Sequence, residues 1–238
     1  SVLPKCFIFY QNHFSHTIKF KMYFDLENLS TQEKYKFLSA LVIPRPVAFV
    51  TSQNPEGLHN AAPFSFFNMF SEEPAIVILG ISHRPNGKSK DTINNIRSKQ
   101  QFAINMVDRS IIGAMHIASA DFPSDESEID YAGITLMPCT QIDVMRIAEA
   151  PVSFECRVFQ IIDLSDRRAL ILGEVLGIHL ADRILDPITK RVIPEEYSPI
   201  ARLYGNEYAW LGKRYSKAIP SIDEIHQLGL AAGDLPTD

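Results

Sequence analysis

The chain has 238 residues, 46% hydrophobic and 21% charged, the composition of an ordinary globular protein with room for a sizeable core. A net charge of −5 argues against nucleic-acid binding, and no apolar run approaches the roughly 18 residues that a membrane-spanning helix needs. Three widely spaced cysteines, Cys6, Cys139 and Cys156, form no CxxC pair and fit a reducing compartment, so a cytoplasmic location is expected.

Taken in chain order, residues 1–21 mix Phe, His, Lys and Asn without clean periodicity and read as an extension ahead of Met22. One domain is expected from there, over residues 22–238. Ser30-x-x-Glu33 is a capping box that opens a short helix through Leu38. Arg45 to Ser52 reads as a strand, Asn54 to Gly57 as a turn, and Leu58 to Phe70 as an aromatic-rich extended segment. Ala75 to Ser82 and Phe102 to Val107 read as buried strands, with a helix between them and a second over Arg109 to Ala120. Val152, Phe154, Cys156 and Val158 alternate onto one face of a strand, and Ala169 to Leu180 answers as its hairpin partner. Many strands, few helices and no βαβ rhythm predict a mainly β fold, an antiparallel barrel with helices covering its ends.

The segment Gly80 to Ile96 contains Gly87-Lys88-Ser89, the closing tripeptide of a P-loop. That reading fails, because the position five residues before Gly87 is Ser82 and Pro85 offers no N–H to a phosphate. Ser89, Lys90, Asp91 and Thr92 instead sit where a strand gives way to a helix, whose free N–H groups and positive dipole end suit a phosphate. Ser89 or Asp91 acting as a plain helix cap is the competing reading. Upstream, Thr51 and Ser52 end a strand with two hydroxyls. Ala61 and Ala62 allow a flat ring close approach, Asn60, Ser65 and Asn68 can bond its polar edges, and Phe64, Phe66 or Phe67 can wall it. An aromatic sheet core would use the same phenylalanines. The chain has no HExxH, GxSxG or GxGxxG motif and no histidine cluster with metal-ligand spacing, so neither a triad nor a bound metal is expected.

In order, "RPVAFVTS", "NAAPFSFFN", "SKDTINNI", "FAINMV", "YAGI" and "ARLYGNEYAWLG" resemble the flavin reductase-like family over about Met22 to Gly212. The resemblance implies an FMN-binding split β-barrel of antiparallel Greek-key type, and a homodimer with the flavin near the subunit interface. By motif, Thr51 and Ser52 match flavin-contacting positions, the segment from Asn60 through Ala61, Ala62 and Ser65 to Phe66 and Phe67 runs along the isoalloxazine, and Ser89, Lys90 and Thr92 hold the phosphate. Arg45 could add a bidentate contact or lie at the surface. The implied activity is NAD(P)H-dependent flavin reduction, with NADH or NADPH as donor and flavin or another small molecule as substrate. A flavoredoxin-like electron carrier serving a redox protein partner is the alternative, and an oxidase of a small amine or pyridoxine-like compound a more distant one. The chain departs from the family pattern in lacking a Gly-Asp-His segment after the second helix; "DYAGI" stands in the comparable region. His116 and His179 are nominees for nicotinamide contact, although each lies in an apolar pattern.

Overall fold

The computed structural model describes residues 22–84, 87–123, 126–216 and 218–228. The extension expected at residues 1–21 lies outside them. Five α-helices are seen among the described residues: α1 (Thr31–Leu41), α2 (Asp91–Lys99), α3 (Ile112–Ile117), α4 (Glu128–Ala132) and α5 (Ile222–Leu228). The strands are β1 (Arg45–Pro46), β2 (Ala48–Gln53), β3 (His59–Phe64), β4 (Phe67–Glu72), β5 (Ala75–Ser82) and β6 (Gln101–Met106) in the first half. The second half adds β7 (Leu136–Pro138), β8 (Met145–Ile147), β9 (Val152–Ser165), β10 (Arg168–Leu180), β11 (Ile200–Arg202) and β12 (Tyr208–Trp210).

Local chemistry explains the first elements. Ser30 and Glu33 form the expected capping box: the Glu33 N–H donates to Ser30 Oγ at 3.3 Å and the Ser30 N–H to Glu33 Oε2 at 2.9 Å. β2 is buried along nearly its whole length because both its faces are covered. Ala48 and Val50 join one apolar cluster with Leu79, Phe102, Ile104 and the α2 residues Ile93 and Ile96. Val47 and Phe49 point the other way, into a cluster with Ala61, Val107, Ile111, Met115 and Ile129 under α3 and α4. The β9–β10 hairpin pairs as its alternation predicts, with Val152, Phe154, Cys156 and Val158 all turned to the first cluster.

The large sheet runs β3-β2-β6-β9-β10-β5-β4, every ladder in it antiparallel. Its ends do not pair. The expected mainly β closed barrel, split-barrel and Greek-key in type, is therefore corrected to a mixed α/β fold with one large open antiparallel sheet. The physical reason lies in the two-residue link, Ser65 and Phe66, between β3 and β4. The Phe66 carbonyl accepts from the Gly80 N–H at 2.7 Å, which commits the link and β4 to β5, while β3 spends its ladder on β2. A Cβ on Gly80 would come within 3.0 Å of Phe66 Cβ, so glycine permits that approach. Smaller sheets, β1-β11-β12 and β7-β8, flank the large one.

Candidate active site

A cavity of about 630 Å³ opens where β3, the start of α2, residues 118–123, α1 and the β11–β12 hairpin meet. Strand alternation decides which β3 side chains reach it. Asn60, Ala62 and Phe64 share one face and line the cavity, whereas Ala61 points to the opposite core and is fully buried there.

The floor is a polar network. The Asn60 side-chain amide lies 3.1 Å from Thr92 Oγ1 and 3.2 Å from Glu128 Oε1. The orientation that satisfies both has its nitrogen donating to Glu128 and its oxygen accepting from Thr92. Glu128 Oε1 also accepts from the Ala61 N–H at 2.5 Å, and Ser127 Oγ donates to the His59 carbonyl at 2.9 Å, so α4 is tied to β3. Burial pushes the Glu128 carboxyl above its ordinary range, against the lowering effect of the N–H groups that bond it.

Lys90 stands at one end, as the N-cap of α2. It contributes no side-chain cap bond, and Ser89 and Asp91 spend their side chains on His83 and Arg84, so neither plays the capping role. Burial first, and then the Arg84 charge, lowers the Lys90 ammonium pKa, with Asp121 opposing. Its Nζ lies 5.6 Å from the centroid of the Phe64 ring. Asp91 would repel an anion here, but Arg84 engages it at 2.6 Å while also donating to the Phe122 carbonyl at 3.1 Å. Cation, helix start and neutralised acid together make this end anion-receptive.

At the other end Arg45 is largely occupied by the backbone. It donates to the carbonyls of Ser39, Val42 (2.7 Å) and Leu203 (2.6 Å), with Ser65 Oγ at 3.5 Å, and so clamps the end of α1 to the β11–β12 hairpin. Arg202 lies over the Tyr208 ring at 4.6 Å and donates to Tyr208 Oη and the Gly205 carbonyl.

Of the expected site residues, Arg45, Asn60, Ala62, Ser65, Lys90 and Thr92 line this cavity, as do Asp91 and, among the three candidate wall phenylalanines, Phe64. The others face elsewhere. Thr51 donates to the Met145 carbonyl at 2.7 Å and Ser52 accepts from Asn95 at 3.2 Å, both fully buried. Phe66 packs against Tyr35 and Arg168, and Phe67 packs on the first core cluster. Ser89 lines a neighbouring cavity of about 510 Å³, with its Oγ 3.1 Å from His83 Nε2. His116 packs at a tilt against Tyr208, with ring centroids 5.1 Å apart, and His179 bonds Glu155. Sequence reasoning missed Arg84, Asp121, Glu128, Tyr35 and Tyr208, all of them lining the cavity. Glu128 had one visible signal, an acid in the first turn of a short helix, which says nothing of depth.

The family model of the flavin reductase like domain matches residues 39–199. A 2-nitrobenzoate 2-nitroreductase of Pseudomonas fluorescens is 36% identical, with a TM-score of 0.77 covering 84% of this chain and 97% of that one. Nitrilotriacetate monooxygenase component B from Bacillus cereus is 32% identical, with a TM-score of 0.79 covering 83% and 98%. An uncharacterized protein of Halalkalibacterium halodurans is 33% identical over 203 residues, 83% of this chain and 96% of its own length. With the match spanning well over half of the sequence, and an anion-receptive cavity beside β3, the chain belongs to the flavin reductase-like family of FMN-binding flavoprotein oxidoreductases.

Proposed function

We propose that this chain is an NAD(P)H-dependent flavin oxidoreductase that holds FMN in the 630 Å³ cavity, with a homodimer completing the site. The observation that carries the reading is the pairing of Lys90 at an uncapped helix start with the flat, small-residue wall of β3. The residues fit the cofactor. The volume is in the range of sites for ligands of this kind, the Lys90 end suits one phosphate, and the Asn60–Thr92–Glu128 floor offers both donors and acceptors.

The flavin, when bound, supplies the redox chemistry by accepting hydride from the nicotinamide. The chain's own work is binding and orientation. Lys90 and the first-turn N–H groups of α2 hold the phosphate, and Ala62 lets the ring lie against the strand. Thr92, in the same first turn, stands at the phosphate end with them, Asn60 fixes the ring's polar edge, and Ser65 and Arg45 border the far end. Thr51, Ser52 and Ala61 act from behind, by keeping β2 and β3 in register. Phe66 and Phe67 set the β3–β4 link, and Ser89 shapes the loop ahead of Lys90. No catalytic base is required of the protein.

Stopped-flow bleaching of the bound flavin tests this directly. Rapid loss of flavin absorbance with NADH or NADPH is the expected outcome, and the faster of the two names the donor. A flavoredoxin-like carrier is the second reading. It is favoured by the exposed Tyr35, Leu38 and Leu41 on α1 beside the cavity, a surface suited to a redox protein. Flavin that neither nucleotide bleaches, yet a one-electron chemical donor reduces, selects that reading.

A further inference from the structure

Away from the flavin cavity, three side chains of different chemistry converge at the end of the sheet. Cys139 follows β7, Glu155 lies on β9 and His179 on β10, and their ligand atoms all fall within 4.8 Å of one another. Glu155 is 1% exposed, a carboxylate taken almost wholly out of water. Its Oε1 accepts from the Thr140 N–H at 2.7 Å and lies 2.5 Å from His179 Nε2, and its Oε2 accepts from the Gln141 N–H at 2.5 Å. The Cys139–Gln141 segment is thus wrapped around the carboxylate, which brings the thiol alongside. A bulge at Leu176, between the pairs Val175–Cys156 and Gly177–Glu155, sets the register that brings His179 to the same place.

We propose that Cys139, Glu155 and His179 form a binding site for a divalent transition cation of the zinc class. A thiolate sulfur, an imidazole nitrogen and a carboxylate oxygen are the donor set that such a borderline-soft ion prefers, and one that Mg²⁺ and Ca²⁺ do not. Two anionic ligands and one neutral ligand balance a divalent charge inside a poorly solvated pocket. The Thr140 and Gln141 N–H groups orient the carboxylate from behind, as outer partners of metal ligands do. Capture shifts the His179 ring proton from Nε2 to Nδ1, which opens the hydrogen bond to Glu155, and sends the thiol proton to solvent, and water completes the coordination. The ion then staples the β7–β8 connection to β9 and β10. The proposal is independent of the flavin reading.

Untagged protein stripped with EDTA and titrated with Co²⁺ tests it. The expected result is one equivalent bound with a thiolate-to-cobalt charge-transfer band, displaced by Zn²⁺ and unaffected by Mg²⁺. Cys139→Ser abolishes the band, while Cys6→Ser, a control, keeps it. Cys139→Ser and His179→Ala each weaken Zn²⁺ binding by more than about a hundredfold, the upper end of what loss of an outer partner costs, and neither gains the rise in Tm that Zn²⁺ gives the wild type. Binding without the thiolate band, a band lost with Cys6, unchanged affinity in either variant, or no uptake at all overturns the site.

Discussion

Lys90 and Glu128 are the two titratable side chains whose settings in the cavity are most altered by burial, and they pose opposite tests. Lys90 is a cation drawn out of water, and among the described residues no carboxylate lies within ion-pair distance of it. Lys90→Ala is expected to weaken FMN binding by about 1.5–3 kcal/mol, the range for a hydrogen bond to a charged group. Riboflavin, which lacks the phosphate, should bind variant and wild type alike, and flavin fluorescence titrations compare the two. Equal losses for both ligands would place Lys90 in the fold and not at the phosphate. Glu128 has a folded-state pKa raised above its ordinary 4.5. The native state therefore binds the proton more tightly than the unfolded chain, and stability falls as pH rises from about that value through the raised one, then levels. Glu128→Gln removes the titration while its amide oxygen can still accept from the Ala61 N–H. Urea melts across that window should lose their downward slope, with stability at neutral pH equal to the wild type or above it.

At the scale of elements, the site depends on β2, β6, β8 and β9 keeping register, and Asn105 ties all four. Fully buried on β6, it donates to the Phe49 carbonyl at 2.9 Å and to Thr51 Oγ1 at 3.3 Å. Its oxygen accepts from the Ile147 N–H at 2.9 Å and Ser153 Oγ at 2.8 Å. Asn105→Ala orphans several buried groups at once, each costing about 1–3 kcal/mol. A drop of several degrees in Tm is expected, with FMN affinity lowered through the displaced β2–β3 pair. Calorimetry with and without FMN would show both, and an unchanged Tm would mean that water replaces the amide.

For the whole molecule, the open edge of β4 matters most. Met69 and Phe70 on that strand are both 64% exposed. Apolar surface of this kind, next to a strand edge that no described residue pairs, calls for a cover. With a second copy as that cover, walling a cavity that is otherwise open, FMN release and dissociation are linked equilibria. Dilution should therefore release flavin in step with the dimer-to-monomer transition, followed by sedimentation velocity alongside flavin fluorescence. Met69→Lys paired with Phe70→Glu should shift both curves to higher protein concentration together. A monomer that retains FMN at full affinity would refute the shared site.

Much of this protein is legible in its residues, because the patterns concerned are local. The Ser30–Glu33 capping box, the alternation from Val152 to Val158 and the apolar run of β5 act over a few positions and form as read. The strand-to-helix switch at Lys90 is local too, which is why the start of α2 could be read. Contacts between distant segments were not legible. That Thr51 and Ser52 bond inward, that Ala61 faces away while Ala62 faces the cavity, and that Glu128 reaches back to Ala61 depend on which elements cover which face of β2 and β3. Closure of the sheet was decided in the same way. Antiparallel pairing follows from strand propensity and short turns, but whether two edges meet depends on where the Ser65–Phe66 link docks. The β4–β5 ladder, which the Gly80 N–H to Phe66 carbonyl bond extends into the link, takes β4 to β5, and among the described residues β3 and β4 are left as the two edges of the sheet.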